Sequence, residues 1–166
     1  MAPSNSQLRL DQLIALPLSS IGCAGDLLWM QFGPLREDTS LRNVRRMIGD
    51  VALHVNVPWR FCKNSKIIIG NRDIYFYEDG EPFDFDRGGA SRFHLFADLF
   101  NAELDLQPLS VTSISSDDTG GLSIQLTDGY TFDAFPNVSY DSPGFEFWRM
   151  LQPATDLPHL IRETGG

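Results

Sequence analysis

The sequence predicts an α+β domain: a mainly antiparallel, meander-like β-sheet of about seven to nine short strands packed on one principal helix near residues 91–104. Three observations carry that expectation. Gly, Pro, Asn and Asp punctuate the chain about every ten residues. The pieces between are short, of strand length. One stretch only, SRFHLFADLFNAEL, repeats its apolar residues at helical spacing.

The elements follow in order. Residues 8–16, LRLDQLIAL, make a short helix or strand stopped by Pro17. Residues 18–33 read as a hairpin, Leu18 to Cys23 and Leu27 to Phe32, over Ala24-Gly25-Asp26. Residues 34–50 are polar and mixed in sign and read as a loop with a helical turn or a strand entry. From Asp50 to about Phe61, Val51, Leu53, Val55, Val57 and Trp59 alternate with Ala52, His54, Asn56, Pro58 and Arg60, the period of a strand with one apolar face. Pro58 cannot donate to a ladder and demotes the end of this strand to an edge or bulge. Lys66 to Gly70 and Asp73 to Tyr77 read as a hairpin over Gly70-Asn71-Arg72, followed by the acidic turn EDGEPFDFDRGG. Ser91 caps the helix, whose core face is Phe93, Phe96, Ala97, Phe100 and Leu104. Strands resume at Leu109 to Ser115, Gly121 to Thr127, Tyr130 to Pro136, Glu146 to Leu151 and His159 to Glu163.

With 166 residues, 42% of them hydrophobic and 21% charged, the chain has the composition of one globular domain, read as 8–163 between flexible ends at 1–7 and 164–166. Thirteen basic against twenty-two acidic residues give a net charge of −9, which argues against binding the phosphates of nucleic acid or anionic lipid. Met1 to Gln7 lacks the basic and apolar regions of a signal peptide, and no apolar run reaches membrane-spanning length. Two cysteines, Cys23 and Cys62, make no disulfide framework and read as buried, inert thiols of a cytoplasmic protein.

Several chemistries are excluded by pattern. Cys23, Cys62, His54, His94 and His159 show no metal-ligand spacing, and the acidic turn lacks the spacing of a calcium loop. There is no GxSxG or SxxK nucleophile motif, neither cysteine has a visible partner histidine, and no glycine-rich phosphate loop is present. Gly88-Gly89 precede the helix but serve as turn residues beside Asp84 and Asp86, whose charge opposes an anion there. No metal and no cofactor is implied. Arg36, Arg42, Arg45 and Arg46 form a basic cluster without interleaved aromatics, and the terminal Gly165-Gly166 lacks the basic run of a ubiquitin-like tail.

The segments LPLSSIGCAGDLLWMQFG, GDVALHVNVPWRF, DDTGGLSIQLTDGYTFDAFP and EFWRMLQP…PHLIRE resemble, in that order, a family of small, uncharacterised bacterial proteins with an ALHVxxPWR-like strand and a late WR…PH element. The matching positions are Asp26, Trp29, His54, Pro58, Trp59, Arg60, Gly129, Trp148, Arg149 and His159. The resemblance implies a cytoplasmic bacterial single domain and brings no catalytic residue with it.

Composition then favours a non-enzymatic, acidic protein-interaction module, immunity- or antitoxin-like, that meets a basic partner such as a toxin through acidic loops. Its contact residues are Glu78, Asp79, Glu81, Asp84 and Asp86 in one turn and Asp117 and Asp118 in another. The alternative is a small-ligand binder or enzyme using the polar face of the 50–61 strand, His54, Asn56 and Arg60, closed over by Asp84, Asp86 and Arg92. A homodimer pairing through a strand edge is a third organisation.

Overall fold

The computed structural model describes residues 7–40, 44–139 and 142–164, so all but Gln7 of the N-terminal segment, Arg42 and Gly165-Gly166 lie outside the described residues. The architecture is α+β, with twelve strands and one principal helix among the described residues. In chain order the strands are β1 (Pro17–Ala24), β2 (Leu27–Phe32), β3 (Arg36–Asp38), β4 (Arg46–Ile48), β5 (Val51–Val55), β6 (Trp59–Lys63), β7 (Lys66–Gly70), β8 (Leu109–Ser116), β9 (Leu122–Leu126), β10 (Tyr130–Ala134), β11 (Glu146–Leu151) and β12 (Leu160–Glu163). The helix, α1, runs Arg92–Leu106.

Ten strands form one antiparallel sheet in the order β12-β11-β5-β2-β1-β8-β9-β10-β6-β7, and β3 with β4 makes a separate ribbon. The pairs β1–β2, β6–β7, β8–β9, β9–β10 and β11–β12 are local hairpins, as a meander requires. The seams β1–β8, β2–β5, β5–β11 and β6–β10 join strands distant in sequence. At the centre of the sheet β1 meets β8 over only Pro17↔Ser110 and Leu18↔Leu109. The sheet folds back on itself there: the Trp148 indole N–H donates to Gly120 O at 3.0 Å, and Arg162 Nη2 donates to Asp118 O at 2.9 Å. Gly120 sits at φ +89°, and a Cβ there would come within 2.6 Å of the Phe147 ring, so this contact requires glycine.

The helix closes the remaining opening. Phe93, Ala97, Phe100 and Leu104 are buried, spaced 4, 3 and 4 apart, against a core in which Trp59, Phe61 and Phe132 are essentially inaccessible. Trp59 meets Phe93 edge-on at 5.6 Å between centroids, and Phe61 lies 4.9 Å from Phe132 and 5.9 Å from Phe100. Each such aromatic contributes roughly 1.5–3 kcal/mol through burial. Beyond Leu18 the edge of β1 faces α1, and Asn101 does there what a neighbouring strand would do. Its Oδ1 accepts from Ile21 N–H and its Nδ2 donates to Ile21 O, both at 2.9 Å.

Three sequence expectations are corrected. The 50–61 strand is two strands, β5 and β6, in different halves of the sheet. Pro58 cannot continue the ladder, Asn56 N–H turns to Phe147 O, and Val51, Ala52 and Leu53 are all buried, so the alternation does not mark one solvated face. Asp73 to Tyr77 is no strand, because Asn71–Tyr75 coils as a 3-10 turn in which the Asp73 carboxylate accepts Gly70 N–H at 2.8 Å. Residues 34–50 hold the β3–β4 ribbon, stitched by Arg46–Asp38 and Arg45–Glu37 ion pairs with Arg36–Asp50 beside it, so these arginines answer acids of their own segment. The ribbon and the split strand raise the strand count to twelve. Leu10–Leu13 is a short 3-10 turn.

Candidate functional site

The acidic turn 78–90 is an exposed loop tied down by Tyr77. The Tyr77 hydroxyl donates to Asp84 O at 2.7 Å and accepts Asp84 N–H at 3.2 Å. Arg87 lies 4.1 Å above the Tyr77 ring centroid and pairs with Asp79 at 2.6 Å. The Arg87 guanidinium hydrogen-bonded to Asp79 holds that carboxyl below the usual range. Asp84 Oδ1 accepts Asp86 N–H, and Glu78 reaches Arg92 at 3.8 Å. Glu81, Asp84 and Asp86 are exposed and enter no ion pair among the described residues. Asp117 is spent within its own turn, where Thr119 and Gly121 N–H hydrogen-bond to it and lower its pKa, while Asp118 is exposed beside Arg162.

The structure disperses the His54 group. His54 lies on β5, opposite Trp29 and Arg149 in the neighbouring strands. Arg149 is bidentate to Glu146 and its Nη1 lies 3.1 Å from His159 Nδ1. Burial first, then the Arg149 and His159 charges, push the His54 pKa down. Asn56 is exposed in the link between β5 and β6. Arg60, on β6, stands 3.6 Å from Asp133 and over the Phe135 ring. Arg92 pairs with Asp73 at 3.6 Å at the start of α1. Of the six, only Asp84 and Asp86 meet, in the loop already described. His54 instead joins Arg149, Glu146 and His159, a grouping set by the β5–β11 register and invisible without the strand order.

Beside the core face expected from the sequence, α1 carries a second apolar face. Leu95, Leu99, Ala102 and Leu106 repeat the 4, 3, 4 spacing of the buried stripe two residues later, which places them about 200° round the helix. All four are exposed, Leu99 by 70% and Leu106 by 89%. Asp98, Glu103 and Asp105 flank this stripe, and no basic residue occupies the last turn. A second apolar register at the same spacing was the available signal.

A cavity of about 170 Å³ opens between this loop and the first turn of α1. Cys23, Ser91 and His94 line it together with Tyr75, Tyr77, Phe83 and Phe85. The rings form a continuous aromatic run: Tyr75 to Phe83 is 5.0 Å and Phe83 to Phe85 is 4.8 Å between centroids. Cys23 Sγ lies 3.5 Å from His94 Nε2, so the expectation that neither cysteine has a partner histidine is corrected. Seventy-one residues separate the pair, and no local motif announces it. Cys62 is buried, whereas Cys23, expected to be buried as well, is only half-buried and lines the cavity.

Among the described residues, no group of three or more His, Cys, Asp or Glu side chains is placed to hold a metal ion, and no helix is long and apolar enough to cross a membrane. Comparison of the chain with protein-family models, curated proteins and solved structures returned no match.

Proposed function

We propose that the protein is an interaction module for a basic protein partner, immunity- or antitoxin-like in its logic, and that the partner presents an amphipathic helix rimmed by Lys or Arg. The observation that carries this reading is the outer stripe of α1. Leu95, Leu99, Ala102 and Leu106 follow the spacing with which one helix seats another, over about 16 Å of helix. Glu103 and Asp105 lie at the helix C-terminus, where negative charge opposes the helix dipole, so these acids do not serve the helix itself. They suit a cationic neighbour and repel a second copy of the same acidic face. The helix begins where the acidic loop ends, so Glu81, Asp84 and Asp86 extend the negative rim toward its N-terminus, and the exposed Phe76 and Phe85 add apolar surface. The remaining acids of the two turns, Glu78, Asp79, Asp117 and Asp118, contribute field more than contact.

The test uses a synthetic helical peptide with Leu at heptad a and d positions and Lys at e and g, beside a twin carrying Glu at e and g. Fluorescence anisotropy should show binding of the Lys peptide alone, lost in Leu99→Glu and weakened in Asp84→Lys/Asp86→Lys with the fold intact. Equal binding of the Glu twin, no loss in Leu99→Glu, or a homodimer that Leu99→Glu splits into monomers would overturn the reading.

A further inference from the structure

We infer that Cys23, His94 and Ser91 form a thiol acyl-transfer site whose cavity accepts a small aromatic acyl ester. The site lies off the helix stripe, shares Asp84 and Phe85 with the loop beside it, and adds a catalytic activity to the binding role. The three side chains stand in the order that nucleophilic catalysis needs: nucleophile, base, and a group that orients the base. Cys23 Sγ is 3.5 Å from His94 Nε2, and His94 Nδ1 is 2.7 Å from Ser91 Oγ. Ser91 is 1% exposed and fixed as the N-cap of α1, with its Oγ accepting His94 N–H. The same oxygen can accept a proton-bearing Nδ1, which leaves Nε2 free to take the thiol proton and stays compatible with the imidazolium that results.

The cavity supplies the substrate class. A void of about 150 Å³ holds a benzene ring, so about 170 Å³ lined by Tyr75, Tyr77, Phe83 and Phe85 suits one aromatic ring. Tyr75 lines this cavity, and burial first, then the Asp26 charge, pushes its phenol pKa up, so the hydroxyl stays protonated and able to donate a hydrogen bond to an oxyanion.

In the first step Cys23 Sγ bonds to the ester carbonyl carbon as its proton passes to His94 Nε2, and the carbonyl oxygen takes up the negative charge. The oxyanion collapses, the bond from carbon to the alcohol oxygen breaks, and His94 returns the proton to that oxygen, leaving an acyl thioester on Cys23. Water then attacks the thioester carbon while His94 takes its proton. The carbon–sulfur bond breaks and the proton goes back to sulfur. One ester and one water become one acid and one alcohol. Burial pushes the Cys23 thiol up, so it rests protonated and depends on His94 at the moment of attack.

The experiment treats the full chain with para-nitrophenyl benzoate, following nitrophenolate release and locating the benzoyl group by peptide mass spectrometry. The expected result is a burst of one equivalent mapped to Cys23, at least tenfold faster than acylation of glutathione or of Cys62 in the same protein. Cys23→Ser should abolish it. His94→Gln should slow it at least tenfold and make the rate climb more steeply with alkaline pH, because solvent must then ionise a thiol whose pKa burial has raised. Ser91→Gly, which keeps most of the cap, should shift the pH profile, and Ser91→Thr should restore it. Acylation of Cys23 no faster than of glutathione sinks the inference without any variant, as does an unchanged rate in a folded His94→Gln protein.

Discussion

His54 shows how far one side chain's surroundings can be turned into a measurable property. Burial disfavours its charged form, and Arg149 and His159 add to that, against a smaller opposing effect of Glu146. Its folded pKa therefore lies below the ordinary histidine value of about 6.5. Between the two values the unfolded chain binds a proton that the folded chain refuses, so stability is fully present above the unfolded value and is lost as pH falls toward the folded one. Thermal melts of wild type should show Tm falling as pH is lowered from 7.5 through 5.5, and His54→Gln should flatten that slope. Asp38, Asp79, Asp117 and Glu146 are shifted below the usual carboxylate range by their hydrogen bonds, so they act at lower pH and leave this window to the histidine. An equal slope in His54→Gln would mean that the Arg149–Glu146–His159 group does not govern it. The same residues mark a limit of sequence reading. His54 and Arg149 are 95 positions apart, and only the pairing of β5 with β11 makes them neighbours.

At the scale of elements, what was legible depended on whether the deciding contact was local. The β1–β2, β8–β9 and β9–β10 hairpins announce themselves through Gly25-Asp26, Asp117 to Gly120 and Asp128-Gly129, because turn chemistry is written in adjacent residues. The helix is legible from Ser91 and the spacing of Phe93, Ala97, Phe100 and Leu104. Pro58 flagged an irregularity, but illegible were the four long-range seams, the move of β6 to the other half of the sheet, and the coiling of Asn71–Tyr75, where Asn71 and Asp73 divert backbone groups from a ladder. The cavity was illegible for the same reason, since Cys23 and His94 come from β1 and α1. Asn101 is the clearest case of a helix residue acting on a sheet: nothing in DLFNAEL says that this amide will pair with Ile21. Because the edge of β1 has no strand beside it there, Asn101→Leu should leave both Ile21 backbone groups without partners. Two hydrogen bonds at about 1 kcal/mol each, plus the cost of the orphaned groups, make a loss of roughly 2–4 kcal/mol in urea unfolding. Asn101→Asp keeps the acceptor for Ile21 N–H and loses the donor to Ile21 O, so it should fall between. A loss under about 0.5 kcal/mol for Asn101→Leu would show that water serves that edge as well as the amide does.

For the whole molecule, the charge of −9 matters less for its size than for how the cations are used. Among the described residues, eight arginines stand in ion pairs with the protein's own carboxylates, most of them exposed. Such pairs are individually worth little to the fold, on the order of 0–1 kcal/mol, and they neutralise the positive side of the surface locally. What is left over is anionic, and part of it is placed around the exposed apolar stripe on α1. Surplus charge that does not hold the fold together still sets a field, and a field acts on encounter rates. Fold and recognition should therefore respond differently to salt. At about 0.15 M ionic strength the screening length is about 8 Å, and at 0.5 M it is shorter than the spacing between most surface charges. Raising NaCl from roughly 0.05 to 0.5 M should cut the association rate of the Lys-rimmed helical peptide by about tenfold or more, while its dissociation rate, set by Leu99 and Leu106 against the partner's apolar face, changes little. Over the same range Tm should move by only a few degrees, because weakened exposed ion pairs and relieved repulsion oppose each other. Stopped-flow association beside melts at matched salt measures both. If Tm collapses with the association rate, the carboxylates around α1 are holding the fold together, and the surface has no surplus charge with which to steer a partner.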